Sequence, residues 1–128
     1  SQEVKDVCYN YDVTLISMIA PTSKDRVEMI AKEAKGFVYC VSSLGVTGVR
    51  SEIKTDVAKM VEMVKEVNDI PAAIGFGIST PEQAKKMASV SDGAIVGSAI
   101  VKIVAKYGKE CIPEVEKYVK EMKAAVEI

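Results

Sequence analysis

The feature that most constrains this chain is a repeated alternation of short apolar runs with longer segments in which apolar residues recur at helical spacing. Thr14 to Ala20 is a continuous apolar run stopped by Pro21, the pattern of a strand covered on both faces. Thr22 and Ser23 are placed to cap the segment that follows. There Val27, Ile30, Ala31 and Ala34 fall at i, i+3, i+4 and i+7, and Gly36 sits where a left-handed residue would end the helix. Phe37 to Val41 is the second strand. After the polar, glycine-bearing loop Ser42 to Arg50 comes a strong helix marked by Ile53, Val57, Met60, Val61, Val64 and Val67. Asn68 to Pro71 closes it, and Ala72 to Gly75 forms the third strand. Thr80-Pro81-Glu82-Gln83 is a capping box with proline in the first turn. Ala94 to Val96 is the fourth strand, Ser98 to Lys106 a short helix, and Pro113 to Val126 a last helix with Val115, Val119, Met122 and Val126 on one face. Before the first strand, Gln2 to Asn10 reads as the end of another helix.

Strand-helix units in series imply parallel strands joined by right-handed crossovers. Two architectures satisfy this order for a single α/β domain spanning residues 1–128. A compact flavodoxin-like sheet is complete at this length, whereas a (β/α)8 TIM barrel takes about 250 residues. The second reading makes the chain the C-terminal half of a barrel. It is favoured by the opening helix with no strand before it and by the extra short helix directly after the fourth strand, a feature of barrel phosphate sites.

Charge and composition exclude several function classes. Seventeen Lys and Arg stand against 18 Asp and Glu, and the lysines are scattered along helical faces, which disfavours nucleic acid as a partner. No apolar stretch is long enough for a bilayer and no charged-then-apolar leader opens the chain, so a cytoplasmic, non-membrane protein is expected. Histidine is absent, and Cys8, Cys40 and Cys111 are far apart with no C-x-x-C spacing, so no metal site is expected. Cys40, inside an apolar run, reads as a small core hydrophobe.

Candidate binding residues gather after the third and fourth strands. Gly75-Phe76-Gly77-Ile78-Ser79 ends one, and Gly97-Ser98 ends the other and opens the short helix. Glycine lets backbone approach a ligand without a Cβ in the way, and the free N–H groups of a helix start favour an anion. The same glycines also serve tight strand-to-helix turns; two such turns on adjacent strands followed by the extra helix tip the balance toward phosphate. The loop Leu44 to Arg50, with Gly45 and Gly48 flanking Val46-Thr47, reads either as a lid or as an ordinary surface loop. Tyr39 shares a strand face with Phe37 and Val41, and serves either core packing or a pocket. No Asp, Glu or Lys lies within or at the C-terminal end of any strand, where barrel catalytic groups are found, and Asp92 precedes the fourth strand at the opposite end. The remaining acids, such as Glu28, Glu62 and Glu116, read as solvated helix faces.

Three segments carry a specific resemblance: Tyr39-Cys40-Val41-Ser42-Ser43-Leu44-Gly45-Val46-Thr47-Gly48, Gly75-Phe76-Gly77-Ile78-Ser79-Thr80-Pro81-Glu82-Gln83, and Gly93-Ala94-Ile95-Val96-Gly97-Ser98-Ala99-Ile100-Val101-Lys102. In this order and spacing they resemble the C-terminal half of tryptophan synthase alpha chains. Ile19-Ala20-Pro21-Thr22 and Met122-Lys123-Ala124-Ala125 extend the similarity over nearly the whole chain. The resemblance implies strands five to eight of a (β/α)8 barrel lyase of tryptophan biosynthesis. That family splits indole-3-glycerol phosphate into indole and glyceraldehyde 3-phosphate, and passes indole to a pyridoxal-phosphate-dependent beta chain. It implies that Gly48, Gly77, Gly97 and Ser98 bind the substrate phosphate. Phe76 would pack near the indole ring, Tyr39 would line the pocket, and Thr47 would sit on the closing lid. Ser43 and Leu44 stand where the family often has a basic and a small polar residue. The family's two catalytic carboxylates come from the second and third barrel strands, so this chain is expected to hold no catalytic acid and no cofactor, with Tyr39 and Thr47 in supporting roles. Two further expectations follow: an inactive isolated chain, and self-association through exposed edge strands. The alternative from another class is a noncatalytic phosphate-binding or self-assembling α/β module.

Overall fold

The computed structural model describes residues 2–42, 50–75 and 77–127, with the side chains of 50–55 set aside. Helix α1 (Gln2–Asn10) leads into β1 (Ser17–Ile19), α2 (Lys24–Glu33), β2 (Val38–Val41), α3 (Arg50–Val67) and β3 (Ala72–Gly75). Then come α4 (Pro81–Ala88), β4 (Gly93–Ala94), α5 (Ser98–Tyr107), a 3-10 turn over Gly108–Glu110, and α6 (Cys111–Val126). The four strands form one parallel sheet in the order β1-β2-β3-β4. Sequential order is the signature of a barrel wall, and it rules out the flavodoxin-like alternative, whose strand order doubles back.

The two faces of the sheet differ completely. Register places Ile19, Cys40, Ile74 and Ala94 in one row, with Val38 and Ala72 in another on the same face. Ile19, Val38, Cys40, Ala72 and Ile74 are wholly buried in one core with Val27 and Ala31 of α2, Val57, Met60 and Val64 of α3, Ala84 and Met87 of α4, and Met122 of α6. Buried apolar side chains of this size contribute about 1.5–3 kcal/mol each relative to exposure, so this layer is the main source of stability. Burial pushes the Cys40 thiol up to about 11, keeping it protonated at neutral pH. The opposite face carries Met18, Tyr39, Ala73 and Gly93 in register. Met18 there is 61% exposed, which corrects the expectation that both faces of the first strand are covered.

Several boundaries also shift. The first strand contracts from Thr14–Ala20 to Ser17–Ile19, because only those residues find partners on β2. Phe37 lies outside β2, and the fourth strand is Gly93–Ala94 rather than Ala94–Val96, although the Ile95 N–H still donates to the Ile74 carbonyl at 2.7 Å. Helix α2 ends at an extended Ala34, so Gly36, at φ +77, turns the chain two residues later instead of capping the helix. Ser23 holds the N-cap of α2 without a side-chain cap bond.

At the N-terminal end of the sheet, Asp92 accepts from the Ala72 N–H at 2.8 Å and pairs with Lys65 at 2.7 Å. These bonds, the Lys65 side chain first, hold its carboxyl below the usual value of 3.8. The folded chain therefore binds this proton less tightly than the unfolded one. The resulting stabilisation is complete above pH 3.8 and is lost as pH falls through the depressed value. Asp92→Asn is expected to flatten the fall in the denaturant midpoint between pH 5 and pH 3, and a slope equal to that of the unsubstituted chain refutes the assignment. A second tie was not legible in the sequence. Asn68 Nδ2 donates to the carbonyls of Ala31 and Ala34 at 2.8 and 3.2 Å, fastening the end of α3 to the end of α2.

Candidate phosphate site at the C-terminal end of the sheet

Because β3 and β4 are parallel neighbours, the turn after one and the helix start after the other emerge at the same end of the sheet. Gly77 follows β3 at φ +75, a conformation natural to glycine, and is exposed. Gly97 is the N-cap of α5 and Ser98 its first residue; both are exposed. The structure thus brings Gly77, Gly97 and Ser98 to one end. Thr47, Gly48 and Phe76, with Ser43 and Leu44 of the lid segment, lie outside the described residues.

The starts of α4 and α5 are built in opposite ways. At α4 the Thr80 hydroxyl accepts from the Gln83 N–H at 3.2 Å, and Gln83 Oε1 accepts from the N–H groups of Ser79 and Thr80 at 2.9 and 3.2 Å. That helix start satisfies its own donors, as the capping box in the sequence predicts. At α5 the N-cap is Gly97, which offers no side-chain oxygen, and the first backbone bonds run from Ile100 and Val101 to the Gly97 carbonyl. The amides of Ser98 and Ala99 precede those bonds and face the positive end of a ten-residue helix. A Cβ at Gly97 would meet none of the described residues within 4 Å, so among them the space before this helix is open. An uncapped helix start beside a left-handed glycine turn is suited to a phosphate-sized anion.

Tyr39 reaches the same end. On the open face of the sheet its ring leans diagonally toward the neighbouring strand, where a Cβ at Gly75 would lie 2.1 Å from Oη and 2.4 Å from Cζ. The contact shows that Gly75 is glycine because the phenol occupies its side-chain space. Ser42, which the sequence places at the start of the polar loop, extends the β2–β3 ladder: its N–H and its Oγ both donate to the Gly75 carbonyl at 3.0 Å, and the residue is fully buried. Its signal was a hydroxyl at a strand end, where a side chain can duplicate a ladder bond. No described strand carries an Asp, Glu or Lys at its C-terminal end, and among the described residues no group of three or more acids or cysteines is placed to hold a metal ion. No described helix is long and apolar enough to cross a membrane.

Comparison with known proteins gives this geometry its family. A sequence profile described as tryptophan synthase alpha chain matches residues 1–127. The tryptophan synthase alpha chain of Thermoanaerobacter sp. (strain X514) is 49% identical over 127 residues, which are 95% of this chain and 48% of the relative. That of Lacticaseibacillus casei is 45% identical over 125 residues, 98% of this chain and 47% of the relative. Among solved structures, tryptophan synthase subunit alpha from Campylobacter jejuni superposes with a TM-score of 0.85 at 33% identity, covering 95% of this chain and 48% of that one. A tryptophan synthase crystal structure from M. tuberculosis, in an aminoacrylate-bound form, gives 0.78 at 27% identity over 98% of this chain and 45% of that one. The four-stranded wall thus matches half of a TIM barrel, and the chain spans about half the length of the curated relatives it matches. Similarity of this extent, carried by sequence and by fold, means that the chain belongs to the tryptophan synthase alpha chain family.

Proposed function

We propose that this chain is the phosphate-binding half of a tryptophan synthase alpha chain, a cytoplasmic lyase that cleaves indole-3-glycerol phosphate to indole and glyceraldehyde 3-phosphate. The observation that carries the reading is the uncapped start of α5 behind Gly97, beside the left-handed turn at Gly77. In this reading Gly48, Gly77, Gly97 and Ser98 bind the phosphate, and the Ala99 amide of the same helix start joins them. Tyr39 walls the pocket near the indole ring, which packs on Phe76, and Thr47 belongs to the lid. The chain takes no cofactor of its own; pyridoxal phosphate stays with the beta chain, the partner that receives indole.

Proton transfer is the part that these residues do not supply. Positioned acid and base groups contribute about 10²–10⁴-fold each, and the ends of the described strands offer none. The carboxylates are assigned to the other four strands of the barrel, and the 128-residue chain on its own is read as inactive. Association belongs to the same reading. Strands β1 and β4 each pair on one side only, and the open face exposes Met18, so a further set of strands completes the wall. A purified sample is expected to show saturable shifts of the Gly77, Gly97 and Ser98 amides with glycerol 3-phosphate, no indole release, and an oligomer by light scattering. Absence of the amide shifts overturns the phosphate assignment, steady indole release overturns the inactivity, and a monomer overturns the association.

A further inference from the structure

We propose that Tyr118 is a positioning residue for the phosphate site, its hydroxyl fixing the turn that presents Gly77. The inference rests on the phosphate reading above and adds to it a residue from the last helix. Tyr118 lies on α6, 39 residues from the turn, and its Oη donates to the Ser79 carbonyl at 2.7 Å. Ser79 is two residues beyond Gly77. Its N–H and Oγ are both committed to Gln83 Oε1, at 2.9 and 3.2 Å. The turn is therefore held from one side by α4 through Gln83 and from the other by α6 through Tyr118. Between Gly77 and Ser79, Ile78 is buried and anchors the segment in the core.

Gly77 has no side chain with which to hold itself, and φ +75 is a position that the chain keeps only if its neighbours are fixed. The Ser79 carbonyl, two residues after Gly77, is tied by Tyr118, as the Gly75 carbonyl, two residues before it, is tied by Ser42. Tyr118 also borders a cleft beside the site. That cleft, apolar and of about 230 Å³, is lined as well by Ala84 of α4, Ala94 of β4, Met122 of α6 and Ile100, which belongs to the first turn of α5. One residue thus bonds to one of the proposed anion-binding turns and shares a cleft with the helix that bears the other. Burial raises the phenol above its ordinary value of 10, so it remains a hydroxyl donor across the neutral range.

The test compares Tyr118→Phe, which keeps the ring and removes only the hydroxyl, with Asp92→Asn, which removes a polar tie at the opposite end of the strands. Each full chain is titrated with glycerol 3-phosphate, and amide exchange is followed over Gly77 to Thr80 without ligand. Tyr118→Phe is expected to bind about three- to tenfold more weakly, the span of one hydrogen bond, and to exchange faster in the turn. Asp92→Asn is expected to lower the thermal midpoint while leaving affinity and turn exchange unchanged. Equal affinity in Tyr118→Phe and the unsubstituted chain overturns the proposal alone, as does equal weakening by Asp92→Asn, which would mean that general stability sets affinity. No binding by the unsubstituted chain overturns the phosphate reading, and this proposal with it.

Discussion

Gly75→Ala is expected to destabilise the chain by about 1–3 kcal/mol, the usual cost of forcing extra volume into a packed position, and the loss is expected to vanish when Tyr39 is cut to alanine. The reason is a single close approach. A Cβ on Gly75 falls 2.1, 2.4 and 2.7 Å from three atoms of the Tyr39 phenol, distances that no pair of carbon and oxygen atoms tolerates. Backbone relief is blocked, because the Gly75 carbonyl accepts two bonds from Ser42 and its strand is paired with β2 through Val41. The ring must leave the space above Gly75 instead. Tyr39→Phe does not relieve the clash, since Cζ and Cε1 remain, whereas Tyr39→Ala does. Thermal unfolding of the two single variants and the double variant forms a cycle in which the coupling matches the Gly75→Ala loss. Additive losses would show that Tyr39 does not occupy the space above Gly75.

What the sequence disclosed and what it withheld divide along the range of the interactions. The Thr80–Gln83 capping box was legible to the atom, because every bond in it spans three or four residues. The order of elements followed from periodicity. The third strand, Ala72–Gly75, was legible to the residue, but the length of the first was not, since Thr14 to Ile16 have the composition of a strand but no partner beyond Ser17 in the β1–β2 register. The bare face was misread for a related reason: Met18 is apolar, and sequence does not say whether the surface it faces is covered by this chain. Long ties such as Asn68 to α2 and Tyr118 to Ser79 leave no local signal at all. Gly77, Gly97 and Ser98 were singled out as candidates from turn chemistry, and the pairing of β3 with β4 brings them to one end of the sheet. The reason that Gly97 differs from Thr80, an uncapped helix start beside a capped one, emerged only from the hydrogen bonds.

That difference yields the sharpest expectation for the site. Gly97→Asp is expected to abolish binding of glycerol 3-phosphate while leaving the fold as stable as before or more so. Space is available, since none of the described residues lies within 4 Å of the new Cβ, and φ is −127, outside the left-handed region that favours glycine. At an N-cap the carboxylate accepts from the amides of the first turn, which stabilises helices by about a few tenths of a kcal/mol relative to glycine at that position. Those amides are the ones assigned to the phosphate, so the variant fills the site with its own anion. Any phosphate that still approached would meet like charge: at about 4 Å and an effective dielectric of about 20, two unit charges repel by about 4 kcal/mol, enough for a loss of at least about 100-fold. Gly97→Ala separates the two effects, because it adds volume without charge or capping oxygen and is expected to bind within several-fold of the unsubstituted chain. Calorimetric titration and thermal unfolding of the three proteins decide the matter. Retained affinity in Gly97→Asp would remove the start of α5 from the site. A lowered midpoint with lost affinity would show damage to the fold instead of occupation of the anion's place.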